Sequence, residues 1–119
     1  MSSLKQYRDT NVFTEAKNRV NYAFDNFEKI YVSFSGGKDF SVMTHLVLSE
    51  AIKRDRKVGL LIIDLEAQYK TTIEHVEDIA KKYKDNIELY WVCLPMSLRN
   101  AVSNFEPRWC CWDDEAKDY

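Results

Sequence analysis

The chain has 119 residues, 45% of them hydrophobic and 30% charged, with a formal net charge of -2 and a pI near 5.7. That is the size and balance of one soluble folded domain. It lacks the broad basic field used to grip nucleic acid directly, an apolar run near the roughly 20 residues that cross a bilayer, and an apolar signal-peptide centre in residues 1–8, so the expected location is cytoplasmic.

From about Asn11 to Asn26, the residues Val12, Ala16, Val20, Ala23 and Phe27 recur at helical spacing and predict a helix with one apolar stripe. Lys29 to Phe34 is rich in β-branched and aromatic residues and runs into Ser35, Gly36 and Gly37, which predicts a buried strand ending in a glycine turn. After Asp39, a second helical pattern (Val42, Met43, Leu46, Val47, Ala51, Ile52) fades in the charged run Lys53 to Lys57, read as a solvated helix end and turn. Val58 to Ile63 is continuously apolar, the pattern of an inner strand covered on both faces.

Thr71 or Thr72 is the candidate cap of a third helix whose Ile73, Val76, Ala80 and Tyr83 face inward, and Ile87 to Leu94 predicts a third strand that stops at Pro95. Beyond it, Ser97 to Phe105 is compatible with a short helix, and Glu106 to Trp112 is an aromatic and thiol cluster without a clear period. No internal repeat is present. Strands alternating with helices imply parallel pairing through right-handed crossovers, hence an α/β three-layer sandwich.

The run Ser35-Gly36-Gly37-Lys38-Asp39 lies between a predicted strand and a predicted helix. Glycines let backbone N–H groups converge on an anion, and the helix N-terminus adds partial positive charge. Ser35 can donate a hydroxyl hydrogen bond and Lys38 supplies a point charge. Asp39 beside phosphates needs a cation between them, which makes it a candidate Mg²⁺ contact. Neither the Walker pattern nor G-x-G-x-x-G is present.

This segment resembles the S-G-G-x-D-S motif of the PP-loop superfamily, which includes N-type ATP pyrophosphatases and the phosphoadenosine phosphosulfate (PAPS) and adenylylsulfate reductases. The resemblance covers roughly residues 28–112. It implies an adenine nucleotide alpha hydrolase-like fold, ATP or PAPS as ligand with Mg²⁺, Lys38 and Asp39 as catalytic groups, and a nucleotide site formed by Ser33, Phe34, Ser35, Gly36, Gly37, Lys38, Asp39, Ser41, Asp64 and Leu65. Phe40 stands where the family usually has Ser or Thr, with Ser41 the nearest replacement hydroxyl. Asp64 to Thr72 resembles the D-T-G-x-x-F-P-E-T stretch of PAPS-reductase-like proteins, Asp64, Tyr69 and Thr72 matching while Glu66 and Thr71 replace the glycine and the glutamate.

Tyr90 to Met96, with Trp109 and the segment from Cys111 to Asp113, looks like a PAPS-reductase-like subgroup from phage and mobile regions that includes immunoglobulin-binding regulator proteins. That likeness implies a single PP-loop domain forming the N-terminal part of a longer protein. The usual sheet is larger than the three strands legible here, so further chain, or a second copy in a homo-oligomer, is expected to cover its edge.

His45 and His75 read as surface or half-buried histidines rather than catalytic bases, and Cys93 as a buried small hydrophobe. Cys110 and Cys111 fit neither an even disulfide framework nor a zinc spacing. They are the better thiol candidates, because Arg108 alongside would lower a thiol pKa. The cysteine-bearing E-C-G-x-H segment of sulfonucleotide reductases is not among these residues. Three functions remain: ATP cleavage between the α- and β-phosphates to adenylate an unknown second substrate, sulfonucleotide chemistry with a borrowed thiol, and a non-catalytic nucleotide-binding regulatory or assembly module.

Overall fold

A computed structural model describes residues 4–116. Helix α1 (Val12–Asn26) starts at Asn11, whose side chain accepts the Thr14 N–H at 2.8 Å. Strand β1 (Tyr31–Ser33) leads through Phe34 to Gly37 and into helix α2 (Lys38–Lys53). Strand β2 (Val58–Ile63), helix α3 (Lys70–Lys82) and strand β3 (Ile87–Val92) complete the α/β repeat. A second sheet is the antiparallel hairpin of β4 (Met96–Arg99) and β5 (Arg108–Cys111).

The main sheet has order β1-β2-β3, all parallel, with Val32 opposite Leu60 and Leu60 opposite Leu89. Consecutive right-handed crossovers in one direction put both connecting helices on the same face. The burial agrees: Val32, Phe34, Val58, Leu60 and Ile62 form one core with Leu48, Ala51, Val76, Ile79 and Phe24 from the three helices. On the opposite face Tyr31, Ile63 and Tyr90 are exposed. The described residues therefore supply the sheet and one helical layer of the sandwich, and β2, central as expected, is covered on one side only. Among the described residues no helix is long and apolar enough to cross a membrane.

Several local expectations change. No side chain caps α3, which begins after Tyr69, and neither Thr71 nor Thr72 serves as its cap. Ser97 to Phe105 is not helical: Met96, Leu98, Trp109 and Cys111 face inward while Ser97, Arg99, Arg108 and Cys110 are exposed, a period-two pattern that selects a hairpin. Cys93 lies just past the end of β3 and is exposed rather than buried. The charged run after α2 is not merely solvated, since Arg56 donates to the carbonyls of Phe24, Phe27 and Glu28 at 2.6 to 2.7 Å and so closes the C-terminal end of α1.

Candidate nucleotide site

The glycine turn is set by two independent constraints at Gly36. Its φ is +79°, a left-handed value that favours glycine, and a Cβ there would lie 2.8 Å from Thr72 Cγ2 and 3.4 Å from Val76 Cγ2. The backbone thus passes close under α3 because no side chain intervenes. Gly37 then enters α2 as its N-cap with extended backbone and no side-chain capping bond. The N–H groups of the first turn point away from the helix body, uncapped by any side chain and reinforced by the helix dipole.

Ser35, Lys38 and Asp39 are exposed around this turn, and neither Lys38 nor Asp39 is ion-paired among the described residues. Phe40 is 44% exposed. The Ser41 hydroxyl does not point into the turn, because it donates to the Gly37 carbonyl at 2.8 Å and lies 2.8 Å from His75 Nε2. Ser33, at the end of β1, is exposed on the uncovered face, while Phe34 is 1% exposed and its N–H is already donated to Leu61 O.

A hollow of about 120 Å³ opens between the ends of β1 and β2, bordered by Ser35, Phe34, Asp64, Leu65, Gln68 and Thr72. Of the loop only Ser35 borders it, beside Asp64 and Leu65, while Gly36, Gly37, Lys38 and Asp39 do not line it. A larger hollow of about 790 Å³ lies between α1 and α2 and touches the loop only at Asp39. Its walls are mostly apolar, with Val12, Ala16, Val20, Val42, Met43 and Leu46, and Arg8 and Arg19 also line it.

Asp64 is built into the structure. One carboxylate oxygen accepts the Glu66 N–H at 2.8 Å, the other accepts Trp91 Nε1–H at 2.9 Å, and its carbonyl accepts Trp112 Nε1–H at 2.7 Å. Glu66, where the resembling motif has glycine, adopts φ +67°, and its carboxylate accepts the Trp112 N–H at 2.6 Å. Trp112 is itself left-handed at φ +51°. Each such backbone costs about 1 kcal/mol, offset here by hydrogen bonds that clamp the hairpin against the exit of β2. The role of Trp91 and Trp112 is not legible from sequence spacing, because both partners come from distant elements.

The thiols differ from expectation. Desolvation, followed by the Asp113 carboxylate, pushes the Cys110 thiol up rather than down, and Arg108 does not reverse this. Cys111 is fully buried, its Sγ 3.6 Å from the Leu94 and Met96 carbonyls. Among the described residues no group of three or more His, Cys, Asp or Glu side chains is arranged to hold a metal ion. Asp39 can offer one carboxylate, which suits a Mg²⁺ held chiefly by phosphate and water oxygens.

The family model for the phosphoadenosine phosphosulfate reductase domain matches residues 29–110. The uncharacterized protein YbdN of Escherichia coli strain K12 is 36% identical over 118 residues, covering 98% of this chain and 29% of that protein. The uncharacterized protein MJ0973 of Methanocaldococcus jannaschii is 32% identical over 127 residues, covering all of this chain and 26% of its own length. The chain thus spans under a third of these relatives. With a family model covering most of its length, and the Ser35 to Asp39 turn between its first strand and second helix, the chain belongs to the phosphoadenosine phosphosulfate reductase domain family of the PP-loop superfamily.

Proposed function

We propose that this chain is the adenine-nucleotide-binding portion of a PAPS-reductase-like enzyme, taking ATP or PAPS with Mg²⁺ at the turn from Ser35 to Asp39. The observation that carries the reading is Gly36: a left-handed residue with no room for a Cβ, immediately before an uncapped helix N-terminus. Such a turn exposes main-chain donors to an anion at no side-chain cost.

In this reading the N–H groups of the first turn of α2 hold the phosphates, Lys38 neutralises their charge and Asp39 contacts the Mg²⁺. Ser35 borders the hollow at the strand ends, where the base or ribose lies against Leu65 and the walls set by Asp64. With ATP, an acceptor attacks the α-phosphorus, the bond to the bridging oxygen breaks and pyrophosphate leaves. The protein contributes positioning and charge neutralisation. The Cys110 thiol is pushed up, chiefly by desolvation, and Cys111 is buried, so sulfonucleotide chemistry at this site would draw its thiol from outside these two residues.

A second reading, nucleotide binding without turnover, is favoured by one observation: Phe40 replaces the family hydroxyl, and the Ser41 hydroxyl is engaged with Gly37 and His75. The test is a thermal-shift series with ATP, AMP and PAPS, each with and without Mg²⁺. A ligand bound only by the folded state at about 100 times its Kd adds about 2.7 kcal/mol of stability. ATP or PAPS should raise the melting temperature, and Lys38→Ala should remove the rise without lowering the unliganded melting point. No shift with any of the three would contradict the proposal, while a shift without pyrophosphate release would favour the second reading.

A further inference from the structure

His75 lies on α3, one turn after Thr72 and beside Val76, the two residues against which Gly36 packs. Its ring meets Phe34 edge to face, with centroids 5.9 Å apart. Its Nε2 is 2.8 Å from Ser41 Oγ, and Ser41 Oγ is 2.8 Å from the Gly37 carbonyl oxygen, which also accepts the Ser41 N–H at 2.9 Å. A hydroxyl has one proton. With that proton donated to Gly37, the bond to His75 requires an Nε2–H that donates to Ser41 Oγ. The result is a directed chain from α3 to the peptide linking Gly37 and Lys38.

We propose that His75 is a positioning residue of the phosphate loop, fixing the Gly37 carbonyl through Ser41 so that the following N–H groups face the anion. The inference rests on the nucleotide reading above and adds to it a part of α3 that the motif does not contain. The carbonyl and N–H of one peptide unit point in opposite directions. Holding the Gly37 oxygen down toward Ser41 therefore holds the Lys38 N–H up, toward bound phosphate. Without the brace the Gly37 carbonyl is held by the Ser41 N–H alone, and Gly37 has no Cβ to restrict the peptide further. The hydroxyl of Ser41 is thereby committed to the back of the loop, which accounts for its absence from the anion-facing side.

The test uses the whole chain with ATP and Mg²⁺, measured by isothermal titration. His75→Phe keeps an aromatic edge against Phe34 and loses the donor; His75→Gln restores an amide donor near the position of Nε2. The expected result is roughly tenfold weaker binding for His75→Phe and for Ser41→Ala, as for loss of one hydrogen bond. Recovery of most of that loss is expected in His75→Gln, and a double variant no weaker than either single one. A histidine that merely fills space would give wild-type affinity in His75→Phe, and independent effects would add in the double variant; either result overturns the inference.

Long-range ¹H–¹⁵N spectra of the unliganded wild type in mildly alkaline buffer give a readout that does not depend on any variant folding. Nε2–H is expected at His75, and an Nδ1–H tautomer overturns the proposal. If the wild type binds neither ATP nor PAPS the nucleotide reading fails and this inference falls with it. If the wild type binds and His75→Phe binds equally well, this inference alone fails.

Discussion

His45 lies one helical turn beyond Ser41 on α2, its Nδ1 2.6 Å from the Tyr83 hydroxyl of the α3 C-cap and its ring edge to face with that tyrosine. Burial, then Lys82 and then His75, lower its pKa below the ordinary 6.5. Folding therefore favours the neutral imidazole over the charged one. Its contribution to stability is complete above the unfolded histidine's range and is lost as pH falls from there through the lowered folded value. Denaturant unfolding between about pH 8 and about pH 5.5 should show stability declining toward acid, and His45→Gln should flatten the decline. An unchanged slope in that variant would contradict this assignment. The sequence made His45 and His75 visible as surface or half-buried histidines but not as linked ones, because their partners Tyr83 and Ser41 lie 38 and 34 residues away along the chain.

At the scale of elements, all three helices and the three main strands were legible, since each carries a run of apolar residues at one period long enough to distinguish helix from strand. What the period did not give was which apolar residues face the core. On α2 the buried residues are Thr44, Val47, Leu48 and Ala51, whereas Val42, Met43 and Ile52 are exposed. Helix α2 carries apolar residues on more than one face, and only packing against the sheet decides between them. The hairpin of β4 and β5 escaped because each strand has four residues and eight residues separate them, so neither half shows a sustained alternation.

The junction after α2 shows the same dependence on tertiary partners. A run of five charged residues reads as solvent-facing, yet Arg54 reaches Asp25 at 2.6 Å and Glu50 at 2.8 Å, and Arg56 lies over the Phe24 ring while closing the end of α1. Replacing Arg56 with Ala leaves three carbonyls to water and should lower stability by about 1–2 kcal/mol. Lys in its place should recover only part, having no fork to reach them together. Urea unfolding of the two variants checks this, and equal stability of Arg56→Ala and wild type would remove Arg56 as the link between α1 and the sheet.

Taken whole, the molecule is a sheet with one finished side. Its Cα radius of gyration is 18.4 Å, against about 13.5 Å for a compact chain of this length. The candidate site sits where the C-terminal end of β1, an edge strand among the described residues, leads into the start of α2. A hollow of about 120 Å³ accompanies the loop, well below the roughly 300 Å³ of a small-molecule site. The loop was legible because glycine spacing, strand and helix start coincide in consecutive residues, whereas the clamp through Glu66, Trp91 and Trp112 depends on residues brought together from across the chain.

The turn from Ser35 to Asp39 is proposed to be an anion cup for an adenine nucleotide. Amide ¹H–¹⁵N shifts of the whole chain, followed as ATP and Mg²⁺ are added, test it directly. The largest changes are expected at the N–H groups of Gly36, Gly37, Lys38 and Asp39, with smaller ones at Leu65 and Thr72, and their loss in Gly36→Ala. Shifts concentrated instead at Val12, Val42 and Met43, in the groove between the first two helices, would contradict it, as would a spectrum that nucleotide leaves unchanged.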